Sequence, residues 1–204
     1  MNPILTWYGH SCFRLDFGAG GSVVFDPYKS GSVPGVELPD DLCADTVLCS
    51  HSHDDHNAAE RVKLSGNMPR FSVSSIVTFH DPEQGKKRGP NTIYIAEYEG
   101  FRAVHLGDLG CSLTVDETKF LQGADLLLVP VGGFFTIGPK EAKINIDALQ
   151  PRVAVPMHYR RGDMGYPVIS PLSDFTSLFR SVTEIGGSTL ELTPELKGIY
   201  ILNV

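Results

Sequence analysis

The sequence predicts one α/β domain, spanning residues 1–204, in which mixed sheets are covered by helices. Short apolar runs separated by tight turns dominate the first half of the chain, whereas strand-like runs alternate with helical segments in the second half. Hydrophobic residues make up 42% and charged residues 20% of the chain, which is the composition of a globular protein with a substantial core. No low-complexity linker divides the chain.

The first half is predicted to be mostly β-structure. Turns are expected at Gly18–Gly21 and at Asp26-Pro27, and Lys29–Asp41 is expected to be a long surface loop. Asn57–Leu64 is expected to form one short helix. The apolar runs between the turns predict four strands, at Ile4–Tyr8, Cys12–Phe17, Ser22–Phe25 and Thr46–Cys49.

The second half is predicted to alternate strands with helices. The nearly continuous apolar run Ala124–Val131 is typical of a strand buried on both faces. Three helices are expected, at Asp116–Gln122, Pro139–Leu149 and Ser173–Thr183. The remaining strands are expected at Phe71–His80, Thr92–Glu97, Phe101–Leu106, Val153–Pro156, Thr189–Leu192 and Ile199–Val204.

Charge and hydropathy limit the classes of partner. The net charge of −7 argues against a nucleic-acid partner, because such proteins carry a basic patch or stripe. No apolar run approaches the ~20 residues that cross a bilayer, so no membrane partner is expected. The start of the chain, Met1–Ile4, lacks the basic and apolar regions of a signal peptide, so a cytoplasmic location is expected. A small-molecule substrate is the expected partner, and a homo-oligomer stays open.

Three of the seven histidines fall within one short segment that directly follows a predicted strand. Because His51 and His53 are two positions apart, they point to the same side of an extended chain. Asp55 and His56 follow where the chain turns, so they can face a second point nearby. Imidazole and carboxylate groups are common zinc ligands, so the segment favours two adjacent metal positions over a solvated polar turn.

Three further residues are candidate metal ligands because each lies at or near the end of an apolar, strand-like run. They are His80, Asp108 and His158. Ligands at the ends of neighbouring strands can converge on one site at the sheet edge. The alternatives are an exposed histidine at 80, a turn-forming aspartate at 108 and a capping or core histidine at 158.

Five motifs, taken in order, resemble the motif series of the metallo-β-lactamase superfamily, and in particular its compact, lactonase-like branch. That branch includes ascorbate-phosphate lactonase and related metal-dependent hydrolases. The resemblance implies a four-layer αβ/βα sandwich with the site along one edge of two sheets. The motifs are Gly9-His10-Ser11, Asp26-Pro27, His51-Ser52-His53-Asp54-Asp55-His56, Gly107-Asp108 and Pro156-Met157-His158-Tyr159.

The resemblance also implies a set of metal ligands for two ions per chain. Zinc is the expected metal, with manganese, iron or nickel as alternatives. His105 is an alternative to His80 as the third histidine of the first metal, but we expect His105 to support the site or to pack in the core. The first metal is assigned to His51, His53 and His80, the second to Asp55, His56 and His158, with Asp108 between them.

The implied activity is hydrolysis of a small ester, a lactone or a phosphorylated metabolite by a metal-bridging hydroxide. Asp55 and Asp108 are expected to orient the hydroxide, and Tyr159 or His10 to donate a hydrogen bond to the developing oxyanion. Asp108 stands where the antibiotic-degrading branch has cysteine, so β-lactam hydrolysis is not expected. The alternatives are a metal-dependent phosphodiesterase or nuclease and a non-catalytic metal-binding module.

Several other residues carry open alternatives. Asp26 either accepts a hydrogen bond from a metal-binding histidine or ends a strand in a turn. Arg88, Arg160 and Arg161 either bind an anionic substrate or lie on a solvated face. The pair Phe134-Phe135 either lines the mouth of the site or a subunit contact, or packs in the core.

Overall fold

Two large β-sheets pack face to face in the computed structural model, which describes residues 1–204, and two further short strands pair in a small sheet of their own. Three α-helices accompany them: α1 (Val115–Leu121), α2 (Pro139–Leu149) and α3 (Leu172–Thr176). The strands are β1 (Ile4–Trp7), β2 (Phe13–Asp16), β3 (Ser22–Phe25), β4 (Cys43–Ala44), β5 (Thr46–Leu48), β6 (Lys63–Leu64), β7 (Ser72–Phe79), β8 (Pro90–Tyr98), β9 (Phe101–His105), β10 (Leu126–Pro130), β11 (Val153–Met157), β12 (Thr183–Glu184), β13 (Thr189–Glu191) and β14 (Gly198–Ile201).

The first sheet has five strands in the order β13-β1-β2-β3-β5, and the second has seven in the order β12-β14-β11-β10-β9-β8-β7. Strands β9, β10, β11 and β14 run parallel, and β7, β8 and β9 form an antiparallel meander. The three α-helices lie in the connections that follow β9, β10 and β11. Because such crossovers are right-handed, the helices cover one face of the seven-stranded sheet. No helix in the structure has the length and apolar character needed to cross a membrane.

The main core is a cluster of 40 buried residues between the two sheets and under the helices. Strand β3 shows how alternation divides the side chains between layers. Val23 and Phe25 point into the main core, whereas Val24 points to the opposite face, where it joins a second cluster of eight buried residues. All four residues of β3 are buried, because both faces of this strand are covered.

The layer over the outer face of the five-stranded sheet is built from loops. Its buried side chains include Tyr28, Val33 and Leu38. Val33 and Leu38 lie in the segment expected to be a long surface loop, and Tyr28 directly precedes that segment. The predicted helix at Asn57–Leu64 is wrong: the segment contains a single 3-10 turn, Ala59–Arg61, followed by β6. Neighbouring backbone carbonyls take up its N–H groups, since Ala58 donates to Pro27 and Lys63 donates to Leu42.

The predicted helix at Ser173–Thr183 is also wrong over most of its length. Helix α3 covers Leu172–Thr176, and turns follow it through residue 179. Thr183 instead begins β12, whose residues pair with Tyr200 and Ile201 of β14. Pairing at the sheet edge therefore outweighs the amphipathic pattern that suggested a longer helix.

Candidate metal centre

The segment that follows β5 is held in place by the carboxylate of Asp26, at the end of β3. Asp26 Oδ1 accepts the backbone N–H of Ser50 at 2.6 Å. Asp26 Oδ2 accepts the Ser50 hydroxyl at 2.7 Å and His56 Nδ1–H at 2.8 Å. The Ser50 oxygen in turn accepts His51 Nδ1–H at 2.9 Å. One buried carboxylate thus fixes both histidine rings and leaves the Nε2 atoms of His51 and His56 free to bind a metal.

Asp108 lies at the centre of the histidines. Its Oδ2 is 3.3 Å from His80 Nε2 and 3.2 Å from His158 Nε2, and its Oδ1 is 3.3 Å from His56 Nε2. The backbone N–H of Asp108 donates to Asn91 Oδ1 at 2.8 Å, which fixes the start of the turn after β9. A side chain at Gly107 would meet Asn91 Oδ1 at 2.3 Å, so glycine lets the chain pass this point.

One group of ligand atoms comes from His51, His53 and His80, and these atoms lie within 4.8 Å of one another. His80 directly follows β7 and donates its Nδ1–H to the backbone carbonyl of Phe135 at 3.0 Å. That hydrogen bond turns Nε2 of His80 toward Asp108. His53 is exposed and closes the group on the solvent side.

A second group contains Asp55, His56 and His158, with His10 beside them. His158 follows β11, and its backbone N–H donates to the His10 carbonyl at 3.3 Å, so the two sheets meet here. His10 Nε2 donates to Asp55 Oδ2 at 3.2 Å. His10 and His158 both adopt positive φ angles, of 51° and 54°, which non-glycine residues seldom do outside sites that need them.

The donor set fits a cation. Buried polar atoms are nearly always hydrogen-bonded, and leaving one without a partner costs about 1–3 kcal/mol. Ions bound at this point would satisfy all of the orphaned atoms that face Asp108. Those buried atoms without a hydrogen-bond partner are His51 Nε2, His56 Nε2, His158 Nε2 and Asp108 Oδ1.

The protonation states also suit metal binding, which needs neutral imidazole and ionised carboxylate. Burial lowers the pKa of His51 to about 3 and that of His10 to about 4, and it also lowers the pKa of His80. Burial opposes ionisation of Asp108, but the neighbouring His158 and His56 outweigh it and hold the pKa of Asp108 well below its usual value. His56 is the exception: it lies between two carboxylates, Asp108 and Asp26, which outweigh burial and raise its pKa, so a metal ion would displace a proton from its Nε2.

A cavity of about 370 Å³ opens beside these ligands. Tyr166 contributes to its wall, and its hydroxyl donates to the Ser32 carbonyl at 2.7 Å and lies 3.2 Å from Asp55 Oδ2. Tyr166 is a site residue that sequence reasoning missed. Its only sequence signal is a tyrosine between Gly165 and Pro167 in a loop after His158. The cavity is lined by His53, Asp55, His80, Arg88, Asp108, Phe135 and Tyr166.

The structure places three of the predicted residues away from this cavity. Tyr159 is buried with its ring 5.6 Å from that of Trp7 and does not line the cavity, so it lies away from the position expected of an oxyanion donor. Arg161 pairs with Glu184 at 3.3 Å on the surface, and Arg160 lines a separate surface cleft.

His105 uses both of its ring nitrogens in hydrogen bonds. Its Nδ1 accepts the backbone N–H of Gly107 at 3.0 Å, so Nε2–H donates to the Ser11 carbonyl, also at 3.0 Å. The ring stacks on Phe25 with centroids 5.0 Å apart. His105 therefore packs between the two sheets under the site, and no ring nitrogen remains for a metal.

Comparison with known proteins agrees with this geometry. A family model described as the beta-lactamase superfamily domain matches residues 4–158, which is most of the chain. This chain belongs to the metallo-β-lactamase superfamily. The metallo-β-lactamase fold predicted from the sequence motifs is thereby confirmed, with a layer of loops over the five-stranded sheet.

Metal-dependent hydrolases are prominent among the superfamily members that this chain resembles. A UPF0173 metal-dependent hydrolase from Methanopyrus kandleri is 28% identical over 192 residues, covering 76% of this chain and 83% of the relative. Another, from Thermococcus onnurineus, is 28% identical and covers 90% of this chain and 97% of the relative. A crystal structure from Thermotoga maritima, described as that of a candidate zinc-dependent hydrolase of the superfamily, has 32% identity and a TM-score of 0.75, with 98% of each chain covered.

Proposed function

We propose that this metallo-β-lactamase superfamily protein is a hydrolase that holds two divalent cations in its histidine-aspartate cluster. The position of Asp108 carries the proposal. Its Oδ2 lies 3.3 Å from His80 Nε2 and 3.2 Å from His158 Nε2, and its Oδ1 lies 3.3 Å from His56 Nε2, so this carboxylate contacts histidines of both ligand groups. Such a carboxylate suits a ligand shared by two ions. His51, His53 and His80 would hold the first ion and Asp55, His56 and His158 the second, with Asp108 shared between them.

When bound, divalent cations lower the pKa of water toward about 7 and polarise the bond under attack. The chain itself supplies fixed ligands for that chemistry. Asp26 fixes the ring of His56, and the Phe135 carbonyl fixes the ring of His80. His10 donates to Asp55 Oδ2, which holds that carboxylate beside His56 Nε2, 3.7 Å away. These hydrogen bonds limit rotation of the ligands, so little reorganisation is needed during the reaction.

Tyr166 is the proposed hydrogen-bond donor to the substrate, in place of Tyr159. Its hydroxyl forms part of the cavity wall, 3.2 Å from Asp55 Oδ2. Burial and the nearby Asp55 carboxylate raise the pKa of Tyr166, so the hydroxyl remains protonated at neutral pH. A protonated phenol at this position can donate to the oxygen that becomes negative in the transition state once its O–H turns from the Ser32 carbonyl into the cavity.

The cavity favours a small substrate. Its volume of about 370 Å³ lies near the lower end of the ~300–1,000 Å³ range of ligand sites. An open cavity beside the ligands supports catalysis over a purely structural metal site, which would be closed. Arg88 is the one cationic side chain in the wall, so the cavity lacks the basic channel that a nuclease needs. The proposed substrate is a small ester, a lactone or a phosphorylated metabolite, as for a lactonase-like enzyme.

Metal analysis coupled to a substrate panel tests this proposal. The protein is stripped with a chelator, reconstituted separately with zinc, manganese, iron or nickel, and analysed for metal content. Each form is then assayed with lactones, carboxylic esters, phosphomonoesters, phosphodiesters and a chromogenic β-lactam. We expect two ions per chain and hydrolysis that chelation abolishes. At most trace metal binding, or turnover that is unchanged after chelation, would contradict the proposal. Preferential turnover of phosphodiesters would favour the phosphodiesterase alternative.

A further inference from the structure

The loop between β7 and β8 places a cation beside the metal ligands. His80 precedes this loop, and Arg88 near its end lines the same cavity as His80 and Asp108. Because the loop begins at a metal ligand, its conformation determines how far Arg88 lies from the reacting centre. Nothing in the proposed two-metal chemistry itself requires this guanidinium.

The loop is held in one conformation by the buried carboxylate of Asp81. Asp81 Oδ2 accepts the backbone N–H groups of Lys87 at 3.0 Å and of Arg88 at 2.9 Å. Asp81 Oδ1 accepts those of Glu83 at 2.8 Å and of Gly85 at 3.2 Å. Four backbone donors therefore converge on one side chain, and the position of Arg88 is set before any ligand binds.

Two aromatic rings hold the guanidinium group of Arg88. Its central carbon lies 5.3 Å from the ring centre of Phe135 and 5.9 Å from that of Phe134. The two rings are nearly perpendicular, at 83°, so the guanidinium sits in an aromatic corner. These cation–π contacts attract the guanidinium without using its N–H groups, which stay available to donate to a ligand.

No anionic partner within the chain neutralises this group. The ion pairs of Asp55 and Asp108 are with histidines, not with Arg88. Its neighbour in the loop, Lys87, instead pairs with Glu83. Arg88 is half-buried, so an unpaired guanidinium is kept at the mouth of a cavity whose carboxylates would be occupied by metal ions.

We infer that Arg88 binds an anionic group of the substrate, a carboxylate or a phosphate, while the bond to be hydrolysed lies at the metal ligands. This inference rests on the proposed function and narrows its substrate class to anionic esters, lactones or phosphorylated compounds. The paired oxygens of either group match the N–H fork of arginine, whereas a lysine ammonium would supply only a point charge.

The test compares matched ligands with one or two anionic groups. Succinate and butyrate have the same chain length, but only succinate has a second carboxylate to reach Arg88. Their binding to zinc-reconstituted protein is measured by calorimetry for the natural chain and for Arg88→Gln, Arg88→Lys and Lys86→Gln. Lys86 is exposed in the same loop and does not line the cavity, so Lys86→Gln is a control for the change in charge. The zinc content of every protein is measured alongside.

We expect the natural chain to bind succinate about tenfold to a hundredfold more tightly than butyrate, the range for a charge-assisted hydrogen bond. Arg88→Gln should abolish this preference without loss of zinc, Arg88→Lys should keep part of it, and Lys86→Gln should keep all of it. A comparison of 3-phosphonopropionate with succinate then shows whether a phosphate-like group or a carboxylate is preferred. No preference in the natural chain, or the same preference in Arg88→Gln, would overturn the inference.

Hydrolysis of 4-nitrophenyl butyrate and of mono-4-nitrophenyl succinate separates this inference from the proposed function. Equal turnover of both esters by the zinc-reconstituted chain would leave the hydrolase intact and refute the role of Arg88. A protein that binds no metal and hydrolyses neither ester would refute the proposed function, and this inference with it.

Discussion

Asp108 is the residue on which the two ligand groups converge. A turn-forming aspartate would face solvent or its own backbone. Asp108 is instead only 1% exposed, and histidine rings surround its carboxylate. The Asn91 side chain fixes its backbone, so its position is set independently of any metal. Because the backbone of Asp108 is fixed by Asn91 and not by its own side chain, removing the carboxylate should leave the turn intact.

Replacing Asp108 with alanine should therefore remove metal and activity while the fold remains. Removing a residue that only supports a ligand lowers metal affinity by about ten- to a hundredfold, so removing a shared ligand should lower it by more than about a hundredfold. Metal content, turnover and far-ultraviolet circular dichroism of Asp108→Ala test this together. A variant with full metal content and normal turnover would place Asp108 outside the site.

The two histidines near the first ion should respond differently to substitution. His80 Nε2 faces Asp108 with its other nitrogen bonded to Phe135, whereas both nitrogens of His105 are already engaged. We expect His80→Ala to weaken binding of one ion more than His105→Ala does, and His105→Ala to lower stability through the cavity it leaves beside Phe25. Zinc titrations with urea unfolding of both variants measure these effects, and the reverse order of zinc affinities would reassign the ligand.

The site could be predicted from sequence where local patterns specify it. His51, His53, Asp55 and His56 share one segment, and the other expected ligands each lie near the end of an apolar run; the structure brings all seven together. Tyr166 was not predictable, because it reaches Asp55 from 111 residues away through a loop without periodic pattern. Tyr159 adjoins His158 in sequence, but consecutive side chains point in different directions.

At the level of secondary-structure elements, local pattern worked where it agreed with tertiary packing. Strand β3 and helix α2 have the predicted boundaries, Ser22–Phe25 and Pro139–Leu149. In β3 the alternate residues Val23 and Phe25 face the main core, and in α2 Ala142, Ile146 and Leu149 face it at helical spacing. The pattern failed at Asn57–Leu64. There, backbone N–H groups that would bond within a helix bond instead to carbonyls of adjacent segments, and sequence alone does not show this competition.

The turn from β9 to Asp108 should tolerate no side chain at position 107. Gly107 has a φ of +56°, and an added Cβ would lie 2.3 Å from Asn91 Oδ1 and 2.6 Å from Ser50 Cβ. Gly100 also has a positive φ, of +83°, but open space around it, so Gly100→Ala is a matched control for backbone strain. We expect Gly107→Ala to lower the free energy of unfolding by about 1–3 kcal/mol more than the control and to reduce metal content. Equal effects in urea unfolding would contradict this.

The segment between β4 and β5 should give acid-sensitive stability. The Ser65 hydroxyl and then the Ser22 backbone N–H donate to Asp45, and these bonds lower the pKa of its carboxyl below the usual 3.8. A lowered pKa in the folded state stabilises the fold fully above about pH 4 and loses that effect as the pH falls through the folded pKa. Asp45→Asn should therefore be less stable than the natural chain at pH 6, with the difference shrinking below pH 4 in urea unfolding. A constant difference across this range would exclude the carboxylate as its cause.

At the scale of the whole molecule, ions bound to the folded chain should stabilise it. The ligands come from both sheets, so an unfolded chain cannot present the complete set. An ion present at a hundred times its dissociation constant adds about 2.7 kcal/mol to the free energy of unfolding, or roughly 5–10 °C in Tm for a chain of this size. Thermal unfolding of stripped and zinc-reconstituted protein measures the shift, with Asp108→Ala as the control that should show little of it. Equal Tm values for the two forms of the natural chain would contradict this.

The backbone hydrogen bond from His158 to His10 has a consequence for how the chain acquires its metal during synthesis. A nascent chain that has emerged as far as α1 already carries every expected ligand except His158. The pocket still lacks one wall then, because β10, β11 and β14, which complete the second sheet, are not yet made. Pairing of segments so distant in sequence is slow, and residues up to His158 must leave the ribosome before it can begin. If the cluster binds metal, selection among competing cations would therefore fall to the folded chain, where the geometry of the complete ligand set can discriminate between them.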